Sequence, residues 1–166
     1  MTRPRSAAVS LRDAFVAASV AWAALLVAAP FLASRAHASA LASALIVGVY
    51  GIGSLVCHQL PERSYHIWAA QMPVCARCAG IYFGGVLGAL AGLWHAGRRP
   101  SARRAGTVPA RDVRVALALA AVPTFATLIY EWTTGEMPSH ALRAAAGVAL
   151  GLVISWVVVV AAVDVR

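Results

Sequence analysis

The run from Ala79 to Ala96 reads AGIYFGGVLGALAGLWHA and contains no Asp, Glu, Lys or Arg. Its length lies inside the range of about 17–25 residues that an apolar helix needs to cross the hydrocarbon core of a bilayer. Backbone groups in lipid must be satisfied within the segment, so a run of this kind is a helix. Four more runs share its character, near Ala14–Ala33, Ala40–Val56, Val113–Tyr130 and Ala144–Val163. The residue-by-residue alternation of a membrane barrel is absent. The chain therefore reads as an all-α polytopic membrane helix bundle of about five transmembrane helices, at 14–33, 40–56, 79–96, 113–130 and 144–163. These make a single integral membrane domain over 1–166, with an Arg-rich loop at 97–112. Pro123 marks an expected kink in the fourth helix.

Composition leads to the same solvent. Of the 166 residues, 61% are hydrophobic and 12% charged, and the mean hydropathy is +0.75. A soluble domain carries about 25% charge. The lipid bilayer is the expected partner and an integral membrane position, in a bacterial cytoplasmic (inner) membrane, the expected location. The net charge of +8 comes with arginine as the sole strong base. In so apolar a chain this reads as juxtamembrane arginine facing anionic lipid. Nothing resembles a nucleic-acid reader, so no nucleic-acid partner is expected. Arg3, Arg5 and Arg12 before the first run, with Ala36-His37-Ala38 after it, have the outline of a signal peptide. The apolar run exceeds the usual h-region, which favours an uncleaved helix.

Immediately before the Ala79–Ala96 run stand Cys75-Ala76-Arg77-Cys78, and Cys57-His58-Gln59 closes the second run. These are all three cysteines of the chain. A fully paired disulfide framework is excluded within one chain by the odd number. Cys75 and Cys78 have the spacing that chelates one metal ion or closes a small disulfide ring. With Cys57 and His58 they make a Cys3His set, a familiar zinc set, so zinc is the expected cofactor and Cys57, His58, Cys75 and Cys78 its candidate ligands. Adjacent residues rarely both bind one ion, so His66 and His140 are alternatives for the fourth position. Arg63 and Arg77 favour thiolate over thiol if they lie close, or hold a phosphate or carboxylate bidentately. Glu131 and Arg143, at facing helix ends, read as an ion pair first and an acid/base pair second. Tyr65, Trp68, Tyr82, Trp94 and Trp132 read as interfacial aromatics.

Gly80, Gly84, Gly88 and Gly92 recur every four residues and share one helical face. Small residues at this spacing let two helix backbones approach closely. Gly147 and Gly151 offer a matching face on the last helix. A partner helix, or a second copy of the chain, is the expected occupant.

Counting five spans puts the Cys loop and the ends of the second to fifth helices nearest it on one face. That face gathers Cys57, His58, His66, Cys75, Cys78, Glu131, Glu136, His140 and Arg143. The same count puts Arg35, His37, His95 and the Arg-rich loop on the other face. The loop then predicts a cytoplasmic side opposite the cysteines, while the basic N-terminal tail, on the cysteine side, predicts the reverse.

The string Cys57-His58-Gln59, Arg63-Ser64-Tyr65 and Pro73-Val-Cys-Ala-Arg-Cys-Ala-Gly-Ile-Tyr-Phe-Gly84 resembles the bacterial and archaeal membrane proteins grouped as domain of unknown function 2085. Residues 131–151 resemble that family more loosely, through Glu131, Ser139-His140, Leu142-Arg143 and Ala146-Gly147, with His140 standing where the family has an amide. The resemblance implies a polytopic membrane protein and no activity. Three functions stay open on the residues. One is a structural or catalytic Cys/His metal site at one membrane face. The second is thiol–disulfide exchange through Cys75 and Cys78. The third is lipid or small-anion transport, or assembly of a partner.

Overall fold

The computed structural model describes residues 5–35, 39–98 and 109–164. The cleavage-like Ala36-His37-Ala38 and most of the Arg-rich loop, including Arg99, Arg103 and Arg104, lie outside the described residues. Five helices make up the structure: α1 (Arg5–Ala33), α2 (Ala40–Val56), α3 (Ala76–Arg98), α4 (Ala110–Thr134) and α5 (His140–Asp164). Between α2 and α3 lie a 3-10 turn (Pro61–Arg63) and a small antiparallel hairpin, β1 (His66–Ile67) and β2 (Ala70–Gln71). The register pairs His66 with Gln71 and Ile67 with Ala70. Trp68 and Ala69 form the turn, both at positive φ (51° and 61°). Two consecutive positive φ angles match the right-handed twist of a tight hairpin, though glycine and asparagine usually supply them.

Among the described residues, four helices are long and apolar enough to cross a membrane: α1, α3, α4 and α5. α2, with 17 residues, is shorter. The order of contacts along the helices fixes their directions. Phe15 and Val16 of α1 pack with Ala89 and Leu93 of α3. Trp22 packs edge-on against Tyr82 at 5.9 Å between centroids. Leu26 and Ala29 reach Val74 and Ala79, and Phe31 packs on Trp68 of the hairpin at 5.2 Å. α1 therefore runs antiparallel to α3 and ends on the cysteine side. Gly80 meets Ala144, Gly84 meets Val148 and Gly88 meets Leu152, so α3 and α5 run parallel. α4 runs against both, since Arg77 and Arg143 meet Glu131 near its C-terminal end.

This changes the count of crossings. The 34–39 connection, fully extended, reaches about 25 Å, less than the roughly 30 Å of a hydrocarbon core. α2 thus begins near the end of α1 that touches the hairpin, and it ends at Cys57 beside Cys75. It returns the chain to the side it started from. Arg35, expected opposite the cysteines, lies on their side, its guanidinium 4.5 Å from the centre of the Phe31 ring. The start of α1, the end of α3, the start of α4 and the end of α5 share the other face. Arg12 of α1, Arg98 of α3 and Arg111 and Arg114 of α4 then belong to helix ends on one face, and the conflict that a five-crossing count creates disappears.

The α3–α5 seam holds the bundle together. A Cβ added at Gly80, Gly84 or Gly88 would lie 2.9, 2.7 or 2.9 Å from the Cα of Ala144, Val148 or Leu152. Gly147 and Gly151 reciprocate against the backbone of Ile81 and Gly85, at 2.9 Å each. Gly92 meets the Val159 side chain. The glycine face of α3 is therefore covered by α5 of the same chain. Two backbones in such contact gain the dispersion that drives helix association in lipid, where no hydrophobic effect operates between helices.

Candidate metal centre and buried arginine cluster

Cys57 caps the C-terminus of α2 in an extended conformation (φ −147°, ψ 137°) and donates its N–H to the Gly53 carbonyl. From there the chain must turn back, and Gln59 does so at φ 51°. The Gln59 amide nitrogen donates to the Tyr50 carbonyl at 2.8 Å and to the Pro73 carbonyl at 2.7 Å. Gln71 donates in turn to the Gln59 carbonyl, and the Tyr50 hydroxyl donates to the Gln71 carbonyl. Gly53 leaves room for the Pro73 backbone. These contacts pin the end of α2 to the residues just before Cys75. Gln59 stands in the sequence motif with no metal-ligating chemistry of its own. Its position beside a candidate ligand at a helix end was the available signal.

The clamp brings the three sulfurs together: the Sγ atoms of Cys57, Cys75 and Cys78 all lie within 4.8 Å of one another. The Cys75 N–H donates to the Cys57 Sγ at 3.2 Å, and all three thiols are free and half-buried. Val74, Ala79, Met72 and the rings of Trp22, Tyr65 and Tyr82 share an apolar cluster with Cys57 and Cys78. Tyr65 and Tyr82 thus belong to the packing at the site, whereas Trp68, Trp94 and Trp132 are exposed as interfacial aromatics are. A hydrogen bond from the Cys78 thiol holds Cys75 well below the usual thiol range, to about 5. The Cys57 thiol and backbone N–H groups add to the effect and partial burial opposes it. These contacts favour the thiolate form at Cys75, the form that binds metal and attacks disulfides.

The expected histidines sit apart from the sulfurs. His58 and His66 are exposed, and neither contributes to the 4.8 Å group. His140 opens α5 and lies 5.4 Å, centroid to centroid, from Tyr65, its Nε2 buried and unpartnered.

A second constellation surrounds Glu131. Arg77 Nη2 lies 3.1 Å from Glu131 Oε1 and also donates to the Thr127 hydroxyl at 3.1 Å. Arg143 Nε lies 3.1 Å from the same oxygen, and Arg63 Nη1 lies 3.9 Å from Oε2. The Arg77 guanidinium is thus engaged by α4. The ion pair expected between Glu131 and Arg143 is present, and two further guanidinia join it. Gly135, at φ 72°, closes α4 by donating its N–H to the Glu131 carbonyl. Glu136 is exposed.

The fold and site define an integral membrane protein, a helical bundle with a three-cysteine cluster beside a buried Arg–Glu network. The chain belongs to the family described as predicted membrane protein DUF2085, whose model matches residues 57–157. It is 42% identical over 60 residues to an uncharacterized protein of Methanocaldococcus jannaschii, MJ1492, covering 36% of this chain and 38% of that one. It is 48% identical over 29 residues to an uncharacterized protein of Methanothermobacter thermautotrophicus, covering 18% of this chain and 26% of that one. The matches thus span well under half the length of these archaeal relatives. No solved structure matches the chain.

Proposed function

We propose that the chain is a membrane metal-binding protein whose Cys57, Cys75 and Cys78 hold a thiophilic ion, zinc by donor chemistry, at one membrane face. The supporting observation is the convergence of three thiols from two separate segments within 4.8 Å. Zinc–sulfur bonds are about 2.3 Å, so two sulfurs on one ion stand at most about 4.6 Å apart. In a tetrahedral site the spacing is about 3.8 Å, so the widest-spaced thiols need to close by up to about 1 Å. A disulfide between Cys75 and Cys78 would use two of them and leave the Gln59 clamp holding a third sulfur with no partner.

Three protein thiolates leave the fourth position to His58, by a shift of the exposed loop, or to a solvent or substrate atom. With His58 the ion is structural and fastens α2 to α3. With a solvent atom it supplies Lewis acidity. The protein's own contribution is the same in both cases: a Cys75 thiol shifted toward its thiolate, an N–H···S bond on Cys57, and apolar packing beside the half-buried sulfurs.

The distribution of arginine supports an orientation. Arg3, Arg5, Arg12, Arg98, Arg111 and Arg114, with the arginines between α3 and α4, belong to one face or the sequence next to it. The other face has Arg35 and the three arginines around Glu131. The positive-inside rule then puts the Arg-rich face in the cytoplasm and the cysteines outside, in a cytoplasmic membrane. An outward site favours the second reading, thiol–disulfide exchange, because disulfides persist outside the cytoplasm.

Elemental analysis of the detergent-purified protein, with Cys75→Ser beside it, separates the two. The metal reading expects about one zinc per chain, lost in the variant, and thiols that become reactive on chelation. Metal-free wild-type protein that oxidises a dithiol would establish exchange instead.

A further inference from the structure

The network around Glu131 is unbalanced. Three guanidinia, from Arg63, Arg77 and Arg143, surround one carboxylate, and among the described residues no second carboxylate pairs with them. The Arg143 side chain is only 2% exposed. The Nε atoms of Arg63 and Arg77 and Nε2 of His140 are buried without a hydrogen-bond partner, and Arg143 Nε meets only the Glu131 carboxylate. Excess buried positive charge within a membrane bundle is costly unless an anion or aqueous cavity compensates it. Guanidinium is the side chain best shaped for phosphate, since its planar fork donates two parallel hydrogen bonds.

An apolar groove of about 600 Å3 adjoins the network between α4 and α5. Its walls include Pro123, Ala126, Tyr130, Leu142 and Ala145. Thr127 belongs to both features, as it lines the groove and accepts the hydrogen bond from Arg77. Leu142 in the groove wall precedes Arg143 directly. Cationic network and groove together have the two chemistries of an amphiphile, at the helix ends where headgroups of a bilayer lie. The volume falls in the range of ligand pockets, about 300–1,000 Å3.

We infer that this is a binding site for an anionic glycerophospholipid of the surrounding bilayer, its phosphate on Arg63 and Arg77, with the charge of the buried Arg143 behind them, and one acyl chain in the α4–α5 groove. The lipid phosphate offsets part of the excess positive charge that Glu131 leaves. Arg63, 40% exposed and the most distant from Glu131, is the arginine most available to it.

Native mass spectrometry of the full chain, released from detergent with phosphatidylglycerol or phosphatidylcholine, tests this. Two variants leave the Arg143–Glu131 pair intact: Arg63→Gln removes one guanidinium, and Ala145→Trp fills the groove from an exposed position. Wild-type protein should retain phosphatidylglycerol over phosphatidylcholine, and Arg63→Gln should cut that preference by about tenfold, the worth of one charge-assisted hydrogen bond. Ala145→Trp should lower retention of both lipids, and inorganic phosphate should fail to displace phosphatidylglycerol. Equal retention of the two lipids by wild type, or retention unchanged in both variants, overturns the proposal. Displacement by inorganic phosphate with no effect of Ala145→Trp also overturns it, in favour of a free-anion site. Zinc content, measured on the same samples, reads the cysteine site independently, and thermal melting in detergent checks that each variant is folded.

Discussion

Replacing Gly84 with alanine tests the seam on which the geometry of both constellations depends. The added Cβ would stand 2.7 Å from the Val148 Cα and closer still to the Val148 carbonyl oxygen. Carbon atoms in contact sit at about 3.5–4.0 Å, so α3 and α5 must separate locally by about 1 Å. A radial gap of 0.5–1 Å forfeits a quarter to a half of each dispersion well along the opened stretch. Gly80 and Gly88, one turn to either side, would lose part of their own contacts with Ala144 and Leu152. Overpacking of this kind costs about 1–3 kcal/mol, and a backbone-to-backbone clash with no flexible side chain to yield belongs near the upper end. Through the size scaling of unfolding entropy this lowers the melting temperature by about 4–10 °C. Thermal unfolding in a mild detergent, followed by circular dichroism, measures it. Gly51→Ala is the control, because nothing lies within 4 Å of a Cβ there. A melting temperature unchanged by Gly84→Ala, or lowered equally by Gly51→Ala, would refute the close parallel packing of α3 and α5.

Three other outcomes are expected. Glu131→Gln removes the sole carboxylate from three guanidinia, one of them fully buried, and should destabilise the protein by about 3–5 kcal/mol in denaturant unfolding. Gln59→Ala leaves the Tyr50 and Pro73 carbonyls without their donor and should cost about 1–3 kcal/mol, with weaker zinc binding in a chelator competition because Cys57 is no longer held against Cys75. In chelated, reduced protein, alkylation of Cys75 should stay nearly constant as pH is lowered from 8 to about 6 and fall only near pH 5. The sign follows from the depressed pKa: the thiolate persists above it and is lost as pH drops through it. Mass spectrometry of the labelled peptide reads this, and a rate already falling below pH 8 would remove the thiolate from the site.

The helical membrane class was legible because apolar runs of spanning length have few alternative structures. α2 shows where that reading stops. Its 17 residues sit at the lower limit for a span, so composition cannot decide whether they cross. The decision lies in distant contacts, Phe31 on Trp68 at one end and Gln59 on Pro73 at the other. Those contacts also explain why the arginines of the N-terminal tail and of the loop after α3 appear to disagree when five crossings are counted. The glycine repeat was legible as a packing face, and Gly147 and Gly151 pointed to α5 as a match, while the parallel pairing of the two depended on helix directions that no local pattern contains. Cys57, Cys75 and Cys78 announced themselves by chemistry and proximity in the chain. Arg63 and Arg77 announced only their charge, and their convergence on Glu131 arises from loops and helices brought together by folding.

X-ray absorption at the zinc edge of the purified, zinc-loaded protein tests the metal centre most directly. Three sulfur scatterers at about 2.3 Å and one nitrogen or oxygen at about 2.0–2.1 Å are expected. Cys57→Ser should reduce the sulfur count by one. A shell of nitrogen and oxygen alone, or protein that takes up no zinc while Cys75 and Cys78 are joined as a disulfide, would contradict it.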